Sequence, residues 1–157
     1  MQTRQLLRHA VATVAYRAEK VLRDPPPGFG AFRVSDGVRT PGEILAHLGD
    51  LMDWAVGMTR GEYVWRDAPV LPWGEGVARF FDALGLFDAQ IAAGEAGKYS
   101  DEMLMQGPIA DSLTHIGQLA LLRRVAGGPV RGESYAQAEI VVGRVGASQS
   151  ARRVEFD

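Results

Sequence analysis

The chain has 157 residues, 46% hydrophobic and 23% charged, a globular balance that suits one domain around a single core and excludes extended disorder. With 17 Lys and Arg against 19 Asp and Glu, the net charge of -2 excludes a general attraction for a polyanion, so no nucleic-acid partner is expected. Cysteine is absent, which excludes disulfides, a thiolate nucleophile and cysteine-ligated zinc; any metal must be held by histidine and carboxylates.

The first 20 residues are interrupted by Arg, His and Glu and lack the apolar core of a secretion signal, and no later run is long enough to span a bilayer. A cytoplasmic protein with no membrane partner is expected. Over about 4–22, Leu7, Val11, Val14, Ala18 and Val21 recur three or four apart and predict a first helix. DPPPGFG stops it, and a loop runs to about Thr40. Thr40-Pro41-Gly42-Glu43 then combines a capping threonine, a proline at the first helical position and a glutamate three after the cap. Ile44, Leu48, Leu51 and Ala55 continue one face of this second helix until Gly57 and Gly61 weaken it.

GEYVWRDAPVLPW reads as a connection. A third helix is predicted over about 75–96, carried by Val77, Phe80, Phe81, Leu84, Phe87 and Ile91. Gly107-Pro108 is expected to open a fourth, with Ile109, Leu113, Ile116, Ala120 and Val125 as its apolar stripe and Gly127-Gly128-Pro129 as its stop. Arg123 and Arg124 suit the negative end of its dipole. After Pro129 the helical period ends; AEIVVGRV (138–145) predicts a short extended piece and the remaining tail is irregular. The fold class is therefore all-α, one domain over 1–157: an antiparallel four-helix bundle over about 1–128 with an irregular C-terminal extension over 129–157. Helix lengths alone do not fix which connection crosses the bundle.

The three histidines are placed differently. His9 is about 200° from Leu7 around the first helix and points to solvent. His47 follows Ile44 by three and precedes Leu51 by four, beside the buried face of the second helix. Asp111 and His115, four apart, project from neighbouring turns of the fourth helix, with Gln118 and Leu122 continuing the row. Two donors from one helix and His47 from a facing one would form a three-ligand metal site; the same spacing also suits a plain Asp–His ion pair. Glu43 and Asp50 flank His47 by a turn on either side, as groups that orient or replace a ligand, or as a cap carboxylate and a solvated charge. Trp54, Trp65, Trp73 and Tyr63 are candidates to line a pocket over the metal, or to be core.

TPGEILAHLGDLMDWA (40–55) and THIGQLALLRRVAGGPV (114–130, with its preceding Asp111) resemble segments of the DinB-like superfamily. That resemblance implies a four-helix bundle with a metal between the second and fourth helices. His47 matches the family's histidine on the second helix, and His115-Ile116-Gly117-Gln118 matches its last histidine with the following Gly-Gln. Asp111 stands where the commoner pattern has histidine, an anionic oxygen in place of a neutral nitrogen that still suits zinc, nickel, iron or manganese. The resemblance implies metal-centred chemistry on a small molecule, either water activation for hydrolysis or thiol activation for transfer, and by analogy a homodimer. Glu43 is the expected general base. The competing reading is a non-catalytic bundle whose metal site is structural or empty and which acts in dimerisation or binding.

Overall fold

The apolar stripes predicted along the chain turn inward, except that Val125, at the end of the last helix, is exposed. The computed structural model of the protein describes residues 2–94 and 98–156. Helix α1 (Gln2–Leu22) buries Leu7, Val11, Val14, Ala18 and Val21. Helix α2 (Pro41–Thr59) starts at a complete capping box: the Thr40 hydroxyl accepts from the Glu43 N–H at 3.2 Å, and the Glu43 carboxylate accepts from the Thr40 N–H at 2.6 Å. Both satisfy amides that the first turn leaves without helical partners. Helix α3 (Trp73–Ala93) buries Phe80, Phe81, Leu84, Phe87 and Ile91, and Gly94 closes it at φ 74°, a left-handed conformation that costs a glycine nothing. The expected continuation to 96 lies outside the described residues.

The fourth helical segment starts earlier than expected. Ser100 caps α4 (Asp101–Leu104), its hydroxyl accepting from the Met103 N–H at 3.3 Å. The chain then passes through a π turn, Met105–Ile109, into α5 (Ala110–Val125). Gly107-Pro108 therefore sits inside the helical run rather than at its start. Proline cannot donate to the helical ladder, and the wider π turn absorbs the break without ending the helix. Ser112 donates to the Pro108 carbonyl at 2.7 Å, one turn on.

Contacts at the ends set the directions. Near the end of α1, the Leu22 carbonyl accepts from Trp73 Nε1 at the start of α3 (3.1 Å), while Arg123 at the end of α5 donates to the carbonyls of Val21 (3.1 Å) and Asp24 (3.0 Å). The start of α2 joins the same end: a Cβ on Gly42 would lie 2.8 Å from the Gly30 carbonyl oxygen, and one on Gly30 would lie 3.5 Å from the Trp73 ring. The C-terminal ends of α1 and α5 thus gather with the N-terminal ends of α2 and α3. The helices neighbour one another around the bundle in the order α1, α3, α2, α5.

An antiparallel bundle was expected, and α2 and α3 depart from it by running parallel. The connection 60–72 makes this reachable. Extended, it spans about 40 Å, more than the roughly 28 Å length of the 19-residue α2. This strap returns along α2, pinned where Asp50 accepts from the Ala68 N–H at 3.2 Å.

Beyond Pro129 the chain wraps the outer side of α1. Strand β1 (Gly132–Glu133) pairs antiparallel with β2 (Glu155–Phe156), Gly132 opposite Phe156. These are the only strands among the described residues, and 138–145, expected to be extended, forms none. The tail explains why Tyr16, Glu19 and Lys20 are buried although they lie off the apolar stripe of α1. Arg152 pairs with Glu19 and Lys20 with Glu133 and Glu155, so these charges leave water together.

Candidate metal centre

α2 and α5 face each other in opposite directions, so His47 meets Asp111 and His115 while Trp54, two turns further on, meets Gly107 in the π turn. His47 Nε2 is 3.8 Å from one Asp111 oxygen, and His115 Nε2 is 3.4 Å from the other. The two imidazole rings are 4.6 Å apart, centroid to centroid, and nearly perpendicular. One donor atom from each of the three lies within 4.8 Å of the others. Both nitrogens stand further from the carboxylate than the 2.7–2.9 Å of a charge-assisted hydrogen bond. They match two ligands on one ion: two donors at about 2.1 Å in a tetrahedral shell are separated by roughly 3.4 Å. The side chains of His47 and His115 are 18% and 12% exposed, whereas that of Asp111 is 45% exposed, so the group opens to solvent on the carboxylate side.

The ring of His115 is oriented by its own helix. Its Nδ1 lies 2.8 Å from the Gln118 amide oxygen, one turn on. With the oxygen as acceptor the proton sits on Nδ1, which leaves the Nε2 lone pair facing Asp111. Burial pushes the His47 imidazole below its ordinary pKa; the neighbouring His115 and Arg39 push the same way, against Asp111 and Asp50. A neutral imidazole is the form that binds a metal.

The other predicted residues go elsewhere. Glu43 is committed to the Thr40 cap and lies 3.5 Å from Arg33, and the Thr40 amide holds its carboxylate below the usual range. A carboxylate held this way is a weaker base than an ordinary one, and its contacts are those of the helix cap. Asp50 is neither a solvated charge nor a spare ligand: it is buried and accepts from Arg79 of α3 at 2.7 Å. His9 is exposed on α1, as expected. Trp73 meets Phe29 edge to face, 5.3 Å away, at the other end of α2 from Trp54.

The remaining aromatics do line the site. Trp65, on the strap, packs on His47 at 5.3 Å and on Trp54 at 5.8 Å; Trp54 meets Tyr63 at 5.2 Å, and Tyr63 meets Tyr99 at 5.6 Å. The Trp65 N–H donates to Asp67 at 2.9 Å, which fixes the indole on the strap. No family model, curated protein or solved structure matches the chain. Among the described residues, no helix is long and apolar enough to cross a membrane.

Proposed function

We propose that the protein is a metal-dependent enzyme of the DinB-like kind, acting on a small molecule through one divalent transition ion held by His47, Asp111 and His115. The observation that carries this reading is the convergence of two imidazole Nε2 atoms on a carboxylate without hydrogen bonds between them, in a group that opens outward through Asp111. The donor set fits the ion: two neutral nitrogens and one anionic oxygen suit zinc, nickel, iron or manganese. When bound, the ion supplies Lewis acidity to a water or thiol at an open coordination position. His47 and His115 contribute neutral donors, Gln118 holds the His115 ring in its ligating tautomer, and Asp111 offsets the ion's charge. The strap residue Trp65 shields the His47 side of the group from water.

Catalysis is favoured over a purely structural ion because, among the described residues, no fourth histidine or carboxylate joins the three. Structural sites are usually closed by four protein ligands, and catalytic ones keep a position free. The test is elemental analysis of protein purified without an affinity tag or chelator, beside His47→Ala and His115→Ala. About one equivalent of transition metal in the wild type, lost from both variants, supports the reading and directs screening to hydrolysis and thiol transfer. A wild type that stays metal-free after incubation with zinc, nickel, iron and manganese overturns it.

A further inference from the structure

A second concave surface lies between the first turns of α1 and the run that leads from α4 through the π turn into α5. It is a groove of about 580 Å3, within the range of roughly 300–1,000 Å3 typical of small-molecule sites. Leu6 and Ala10 form one wall, Met105 and Leu113 the other, and the lining is almost wholly carbon. Leu6 is 69% exposed and Met105 42% exposed. Apolar side chains gathered in one open patch mark a binding surface, where the same residues scattered singly would not. The groove is separate from the metal group. Leu113 is two residues from both Asp111 and His115, so it leaves α5 about 200° around the helix from either. In the π turn, Met105 and Gln106 face the groove, whereas a Cβ on Gly107 would lie 3.6 Å from Trp54 on the metal side.

The groove has a charged end and an uncharged one. α1 and α5 run in the same direction, so Thr3 stands with Asp101 and Glu102 at one end, and Thr13, about 15 Å further along α1, stands toward the other with Leu113. Asp101 and Glu102 are its only carboxylates, no lysine or arginine lines it, and His9 is its remaining titratable side chain. Asp101 makes no hydrogen bond or ion pair among the described residues. Glu102 accepts from the Ser100 hydroxyl and from its own N–H, contacts that favour the carboxylate form. We propose that this groove binds a small amphiphilic amine, its alkyl body along Leu6, Ala10, Met105 and Leu113 and its ammonium group at Asp101 and Glu102. An anionic amphiphile would bring its head group against two carboxylates, and a neutral one would leave both unused. This site is independent of the metal reading, because none of its lining residues belongs to the metal group.

The probes are n-octylamine, 1-octanol and octanoate, which carry a positive, a neutral and a negative head on similar chains. Dissociation constants are measured by calorimetry on the full chain as purified. The amine is expected to bind at least tenfold tighter than the alcohol, and octanoate more weakly than either. Hexylamine should bind roughly tenfold more weakly than octylamine, as expected for two methylenes fewer in an apolar groove. The double variant Asp101→Asn with Glu102→Gln should bring amine and alcohol within about twofold of each other. Leu6→Ala, at an exposed position, should weaken both alike, about threefold. Equal binding of amine and alcohol by the wild type, a preference that survives the double variant, or no dependence on chain length overturns the proposal. So does a wild type that binds no amine and sediments as a dimer that Leu6→Gln takes apart, since the groove would then belong to a second copy of the chain.

Discussion

Two clusters of charged side chains stand on different sides of the bundle, and they differ in how fully their atoms are used. Where the tail crosses α1, Tyr16 donates to one Glu133 oxygen at 2.5 Å and Lys20 to the other at 3.1 Å, while Lys20 also reaches Glu155 at 2.6 Å. Arg152 pairs with Glu19, donates to the Tyr16 carbonyl at 3.1 Å and lies over the Tyr16 ring, 3.9 Å from its centre. The Glu133 side chain is wholly enclosed. Between α2 and α5 the pattern is the reverse: two imidazole nitrogens and a carboxylate point at one another without hydrogen-bonding. The first cluster spends its hydrogen-bonding capacity internally and so fixes a segment of chain. The second holds lone pairs in reserve, which is what a ligand site does.

Removing a partner from the satisfied cluster should have the largest effect. Glu133→Ala strands the Tyr16 hydroxyl in an enclosed place and leaves the buried Lys20 with Glu155 as its remaining partner, and breaking a buried pair costs up to about 3–5 kcal/mol. Urea denaturation should show it as a lower midpoint. The double variant Lys20→Met with Glu133→Leu should recover most of the loss, because packing replaces charges that pay heavily for leaving water. A single variant as stable as the wild type would mean that the tail does not dock on α1 as described.

The same cluster predicts a pH dependence with two edges. The hydrogen bond from Lys20 holds the Glu155 carboxylate below its ordinary value, so its contribution is present above the usual carboxylate range and is lost as pH falls through the lowered folded value. Burial, then the bond to Glu133, pushes the Tyr16 phenol above its ordinary value; that contribution is present below about 10 and is lost as pH rises through the raised folded value. Protection of the 130–156 amides, measured as exchange relative to the intrinsic rate at each pH, should therefore be high and flat across neutral pH and fall at both extremes. A single edge near pH 6.5 would point to a histidine, and none faces this cluster.

Asp111→Ala should behave in the opposite way to Glu133→Ala. Asp111 is 45% exposed and has no hydrogen bond to lose, so stability without metal should move by no more than about 0.5 kcal/mol. What disappears is the response to metal. Wild type with an ion at a hundred times its dissociation constant gains about 2.7 kcal/mol in unfolding free energy, and the variant should gain close to none. A variant that loses stability in the absence of metal would recast the trio as a structural hydrogen-bonded group.

The two clusters also differ in how legible they were. Helical spacing put His47, Asp111 and His115 at or beside the faces of two periodic helices, and the family resemblance joined the three as one site, where spacing alone also suited an Asp–His ion pair. The tail anchor could not: Glu133 and Arg152 lie in segments without period, and their partners on α1 are more than a hundred residues away. The α2 boundary was legible because Thr40-Pro41-Gly42-Glu43 carries its own hydrogen bonds. The start of the last helical run was misread at Gly107-Pro108 because a proline inside a π turn looks, in sequence, like a proline at a first turn; the Ser100 cap was the truer signal. The parallel course of α3 was hidden in the connection 60–72, whose length exceeds what a turn between antiparallel helices needs.

The smallest expected effect tests how finely the reserve at the metal group is set. Gln118 is exposed and touches no ligand partner other than His115, through the 2.8 Å contact at Nδ1. Replacing it with alanine leaves both ring nitrogens of His115 in place but frees the proton to move to Nε2, the atom that faces Asp111. The neutral ring then spends part of its time in a form that cannot ligate, and loss of such a partner typically lowers metal affinity about 10–100-fold. Gln118→Ala should therefore bind zinc at the low end of that range, near tenfold more weakly, with unfolding of the metal-free protein unchanged. Gln118→Glu should restore or exceed the wild-type affinity, because a carboxylate accepts the same proton more strongly. If both variants bound zinc as the wild type does, His115 would not ligate through Nε2, and the geometry that distinguishes this cluster from the tail anchor would lose its meaning.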